Sequence, residues 1–353
     1  MRRSRWLVAL LALMLVAGAC GGDDGEEAGG GGDGEEQPQE ITELTALIPF
    51  PSGAVFYPLY VAQDRGYFEE EGLSVTTEAV DGSGQILQQV LAGQAEVGLP
   101  SPGPFMNSVL EGSDLVSVYT LFQSNVFSLQ TLADSQVQSV ADLEGTTVGV
   151  GTIEGGETPF VRAVLSEEAG LEEGQDYELL AVGDGGTASV ALDRGEISAY
   201  AAAFPDVAIM RLRGLELRNL LPEGFQSFFD SLVTVERSFM EENPEIVEGL
   251  GRAIAKATLW GMDNPEGVLD ITEQYFPEEA EDREFTLAML QETMSLFELP
   301  PEANGQWGYA VPESVDRYMG FLVDQGELPE PVDTSVYVND YVEAYNAFDP
   351  AEL

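Results

Sequence analysis

Side chains able to do covalent or proton-transfer chemistry are scarce in this chain. Its 353 residues include no histidine and one cysteine, Cys20, and Lys256 is the single lysine. That excludes a serine-histidine-aspartate triad and a histidine-bound zinc site, and one thiol cannot form an intramolecular disulfide. Carboxylates, by contrast, are abundant, with 63 Asp and Glu against 14 Lys and Arg. The pairs Glu154 with Glu157 and Asp184 with Asp206 have the residue types of a glycosidase acid/base couple. Among so many acids such pairs arise by chance, so they carry little weight for hydrolysis. The Gly-x-x-Gly turns lack Walker or dinucleotide spacing. What remains is recognition without turnover.

Five loops have the composition for it. Segment 49–53 contains Phe50 and Ser52, with Phe56 and Tyr57 close behind; segment 101–105 starts at Ser101. Segment 151–158 contributes Thr152, Gly155, Gly156 and Thr158, segment 183–187 holds Asp184, and Phe204 and Asp206 flank Pro205. Glycines allow close backbone approach with free N–H groups, and the hydroxyls add donors and acceptors. No lysine or arginine lies in these loops, whereas Glu154, Glu157, Asp184 and Asp206 do. Rings and acceptors together favour a neutral or cationic ring that stacks and donates hydrogen bonds. A sulfonate or nitrate would have to rely on backbone N–H groups and hydroxyls. The candidate ligand residues are therefore Phe50, Ser52, Tyr57, Ser101, Thr152, Gly155, Gly156, Thr158, Asp184, Phe204 and Asp206, with no metal and no cofactor expected.

Those loops must be held by strands and helices in alternation. The pattern predicts strands over 44–48, 75–79, 97–99 and 116–121, with a helix over 84–91. A second series runs through a strand at 147–150, a helix at 159–169, a strand at 177–181, a helix at 187–193, a strand at 197–200 and a helix at 205–211. Segment 215–220 closes it, and 228–235 returns the chain to the first series. The expected fold is thus α/β: two lobes, 41–125 with 226–353 and 126–225, joined by crossings near 123–130 and 221–230. Helices over 238–262, 281–297 and 312–325 are expected to pack on the first lobe. In open parallel sheets ligands bind beyond the carboxyl ends of the strands, which is where the five loops fall.

At the N-terminus, Arg2, Arg3 and Arg5 precede an apolar run over 6–16 and the small residues Ala17, Gly18 and Ala19. This reads as a secretory signal over 1–19, with Cys20 placed for lipidation. Segment 21–40 holds eight glycines and eight acids, the composition of a disordered tether. The net charge of −49 argues against nucleic acid and polyanionic partners.

Four stretches carry a family likeness. They are YVAQDRGYFEEEGLSV (60–75), QQVLAGQAEVG (88–98), SVADLEGTTVGV (139–150) and ALDRGEISAY (191–200). In this order they resemble the substrate-binding proteins that feed ABC importers of sulfonates, nitrate, taurine and thiamine-precursor pyrimidines. The resemblance implies a type 2 periplasmic-binding-protein clamshell with two hinge crossings, a monomer that captures a small molecule between its lobes and an ABC permease as partner. Combined with the acidic loops, it implies a thiamine-type pyrimidine or related amine heterocycle as ligand. Alternatives are a sensor lipoprotein of the same fold and the fungal pyrimidine-synthase branch, which consumes pyridoxal phosphate and one of its own histidines. A chain without histidine departs from that branch at its reactive residue.

Overall fold

The computed structural model describes residues 41–153, 157–183 and 185–353. Among the described residues ten strands form two sheets: β1 Thr42–Ile48, β2 Leu73–Ala79, β3 Val97–Gly98, β4 Leu115–Phe122, β5 Phe127–Leu132, β6 Thr147–Val150, β7 Glu178–Ala181, β8 Ala199–Ala203, β9 Leu217–Asn219 and β10 Asp230–Glu236. The first sheet has the order β2-β1-β3-β10-β4 and the second β7-β6-β8-β5-β9. β1 pairs in parallel with β2 and β3, and β6 with β7 and β8. The strands next to the crossovers, β10 and β5, run antiparallel to their neighbours. All eight residues of β4 are buried, as a strand covered on both faces requires.

The run 60–75 shows how local sequence sets this geometry. The helix Tyr57–Asp64 ends at Gly66, which adopts φ +77°, and a one-turn helix Tyr67–Glu70 then ends at Gly72, φ +72°. Glycine accepts these left-handed values without a Cβ penalty, so the chain can turn twice and enter β2. Arg65 stacks its guanidinium 4.7 Å from the Trp260 ring, and it is not among the residues lining the cavity described below.

Two expectations are corrected. The helix expected over 238–262 is broken into Arg237–Glu242 and Pro244–Asp263. Pro244 disfavours helical torsions at the preceding Asn243, which sits at φ −135°, ψ 55°. Second, the segment read as the first crossing already contains β5, so the connection is only residues 123–126, and β10 starts two residues later than expected. The connections are tied together: Asn125 donates from its backbone N to Gln226 O (3.1 Å) and from Nδ2 to Phe225 O (2.9 Å).

The C-terminal helices serve both lobes. Pro244–Asp263 buries Val247, Leu250 and Ile254 in the core built on β1 and β4. The helices Arg283–Leu296 and Pro312–Asp324 also touch the second lobe: Glu292 pairs with Arg211, and the Phe321 ring lies 6.1 Å from that of Phe160.

Close packing sets one sharp requirement. A Cβ at Gly261 would lie 2.1 Å from Cε2 of the buried Tyr57. Gly261→Ala should gain up to about 1 kcal/mol of helix propensity, yet lose more by displacing that ring, for a net destabilisation of about 2 kcal/mol. Urea unfolding checks it; an unchanged midpoint would mean the ring moves freely.

Candidate ligand-binding cleft

A cavity of about 1050 Å³ opens between the lobes at the carboxyl ends of β1, β3 and β8. The first lobe supplies the loop from Pro49 to Ser52, then Ser101, and Asp230 with Ser231 at the start of β10. From the second come Phe127 and Ala203 to Pro205. A third wall is built by the turn from Tyr275 to Glu279, by Met289 and by Tyr318.

Aromatic rings dominate the surface. Phe50 is 44% exposed and leans on Phe56 at a ring separation of 5.2 Å; Phe127 and Phe204 stand on the second lobe. These are faces on which a flat ring can stack.

The polar floor centres on Asp230. Its Oδ1 accepts from Ser101 Oγ at 3.0 Å and from the Ser231 backbone N at 2.6 Å. Ser231 holds φ +50°, a left-handed torsion uncommon outside glycine and often found at functional sites. Burial pushes the Asp230 carboxyl up to about 6, opposed by the bonds from Ser231 and Ser101. Tyr318 is raised by burial and then by the charge of Asp230, so its phenol stays protonated. No lysine or arginine is among the described residues lining the cavity, whereas Asp230, Glu278 and Glu279 are.

Of the residues proposed from sequence, Phe50, Ser52, Ser101 and Phe204 line this cavity. Tyr57 does not: it is 1% exposed within the core and its hydroxyl donates to Thr258 O at 2.9 Å. Thr158 is fully buried and donates to Thr152 O at 2.9 Å, while the Thr152 N donates to Glu157 Oε1 at 3.1 Å, so this trio secures its own loop. Asp206 accepts from Gly185 N at 2.8 Å and from Tyr200 Oη at 2.9 Å, joining two loops of the second lobe. Short polar side chains at helix starts satisfy nearby backbone groups first. Gly155, Gly156, Asp184 and Cys20 lie outside the described residues.

Sequence reasoning missed Asp230, Tyr275, Phe276, Glu279 and Tyr318. A signal was present in the segment 275–279, where two aromatics and a proline interrupt a helical stretch. Such punctuation marks a turn and not a continuing helix.

A family model described as NMT1/THI5 like matches residues 54–268. The chain belongs to that family. Among curated relatives, the riboflavin-binding protein RibY of Chloroflexus aurantiacus is 25% identical over 311 residues, 86% of each chain. The formylaminopyrimidine-binding protein of Halalkalibacterium halodurans is 25% identical over 304 residues, 83% of this chain and 88% of that one. Among solved structures, the periplasmic aliphatic sulphonate binding protein SsuA of Escherichia coli superposes with TM-score 0.60 at 16% identity, covering 85% of this chain and 92% of that one. This NMT1/THI5-like chain therefore has the two-lobed α/β fold of the periplasmic binding proteins. Among the described residues no helix is long and apolar enough to cross a membrane, and no three His, Cys, Asp or Glu side chains are grouped to hold a metal.

Proposed function

We propose that this protein is the extracytoplasmic solute-binding component of an ABC importer, and that its solute is a flat heterocycle bearing amino or ring N–H donors. The carrying observation is the interlobe cavity, faced with aromatic rings and with Asp230, Glu278 and Glu279 but with no basic side chain among its described lining residues. Stacking supplies area, and the carboxylates accept donors from the ring edge. Relatives named for formylaminopyrimidine and riboflavin support a nitrogen heterocycle. At about 1050 Å³ the cleft is at the upper end of small-molecule pockets, roughly 300–1,000 Å³, so it has room for a fused ring as well as a single pyrimidine.

The work is capture: solute enters the open cleft, closure about the two connections buries it, and the permease distinguishes the closed form. In this reading 1–19 is an export signal and Cys20 carries the lipid anchor. Partitioning of the mature protein into the detergent phase tests the anchor; recovery in the aqueous phase rejects it.

A thermal-shift panel of formylaminopyrimidine, riboflavin, taurine and nitrate tests the solute. A solute at about 100 times its Kd adds about 2.7 kcal/mol, so a bound heterocycle should raise the melting temperature and reduce the scattering radius. A shift with taurine or nitrate and none with either heterocycle would reject the assignment.

A further inference from the structure

Glu279 stands in the cleft wall in a specific relation to the loop after β1. Its Oε1 accepts from Ser52 Oγ at 2.8 Å and from Ala54 N at 3.2 Å, and its Oε2 accepts from Gly53 N at 2.7 Å. Ser52 Oγ is itself oriented by accepting from Val55 N at 3.2 Å. Two backbone N–H groups and a hydroxyl on consecutive residues make a concave set of donors of the kind that holds an anion. The anion here is a side chain 227 residues away in sequence from Ser52.

The arrangement is held from both sides. Thr286 Oγ1 donates to the Glu279 carbonyl at 2.7 Å, which fixes the turn that presents the carboxylate. On the loop side, a Cβ at Gly53 would meet Phe276 Cδ2 at 2.7 Å and Thr272 Cγ2 at 2.9 Å, so the close approach depends on glycine.

We propose that Glu279 is a specificity-determining residue that excludes anionic solutes from the cleft by occupying the donors of residues 52–54 as a built-in anion. This deepens, and rests on, the reading of the cleft as the solute site. An incoming sulfonate or carboxylate must expel Glu279 from three hydrogen bonds or lie beside it against like charge. Neither course is offset, since no lysine or arginine is among the described residues lining the cavity. A ring N–H or amino group meets the reverse situation, because a carboxylate has about four acceptor positions and three are used. The loop that could cradle an oxyanion is thereby turned into an acceptor wall for donors.

The test is calorimetric titration of methanesulfonate and of acetate into the wild-type chain, Glu279→Ala and Glu279→Gln, with melting curves for each. The wild type should give no measurable binding. Glu279→Ala, which vacates the donors, should bind both anions at least about tenfold more tightly than the wild type, and Glu279→Gln, which removes charge at constant volume, should gain less. No gain in either folded variant overturns the proposal, as does wild-type binding equal to that of the variants. If the alanine variant fails to fold, the glutamine variant decides. An aminopyrimidine titrated into the wild type reports separately: a gain of anion binding without any aminopyrimidine binding supports the role of Glu279 and rejects the solute assigned above.

Discussion

Asp230→Asn is expected to weaken binding of an amino heterocycle about 10- to 100-fold at pH 7 while leaving the protein at least as stable. The affinity loss follows from replacing a charge-assisted acceptor by a neutral one, worth about 1.5–3 kcal/mol. Asparagine can still accept the bonds from Ser231 N and Ser101 Oγ, so the floor of the cleft keeps its shape. Stability moves the other way for an electrostatic reason. The carboxyl titrates at about 6 when folded because burial penalises its charge, against about 3.9 in the unfolded chain. A group raised in this way contributes stability that is full below the unfolded value and is lost as pH rises through 6. At pH 7 the wild type therefore carries a charge costing about 2–3 kcal/mol, which asparagine does not. Acidification from pH 7 to 4 should stabilise the wild type through this group and have no such effect in the variant. Binding of a hydrogen-bond donor should fade over the same interval as Asp230 protonates. Calorimetry and urea unfolding across pH 4 to 7.5 measure both; unchanged affinity in the variant at pH 7 would remove Asp230 from the site.

Arg211→Met should destabilise the protein by about 2–3 kcal/mol at neutral pH and loosen the lobes. Arg211, on the second-lobe helix Phe204–Leu212, pairs with Glu292 on the helix Arg283–Leu296, and the Glu292 side chain is only 9% exposed. Breaking a fully buried pair costs about 3–5 kcal/mol; the value here is lower because the Arg211 side chain is 55% exposed. Burial already raises the Glu292 carboxyl, and the arginine charge opposes that shift. Without the arginine the rise is larger, so the deficit should shrink as pH falls and Glu292 becomes neutral. Unfolding at pH 7.5 and 4.5 checks the sign, and a larger unliganded scattering radius checks the loosening. Adding Glu292→Gln should recover much of the loss by removing the stranded charge. A single variant as stable as wild type at pH 7.5 would show that the pair does not hold the lobes.

How far the chain could be read differs between scaffold and site. Strand positions were legible because alternating and continuous apolar runs report burial locally, as in β1 and β4, and because glycines such as Gly66 and Gly72 occur where the chain must reverse. Phe50, Ser52, Ser101 and Phe204 were legible as cavity-lining positions because each follows the carboxyl end of a strand. Tyr57, Thr158 and Asp206 have the same residue chemistry in the same loops, yet their partners are Thr258 O, Thr152 O and the Gly185 N–H, internal groups that single-sequence pattern cannot reveal.

The sequence by itself determined the scaffold and the family: alternating strands and helices, glycines where the chain reverses, and four family stretches in order. Only the tertiary structure decided which groups face the cleft. Asp230 and Ser101 lie 129 residues apart and are joined because β10 inserts beside β3 in the first sheet, whereas Ser52 and Glu279, 227 apart, are joined because the C-terminal helices bring the 275–279 turn against the loop after β1. Periodicity encodes which face of an element is buried, but the direction in which a loop carboxylate points depends on donors supplied from distant parts of the chain.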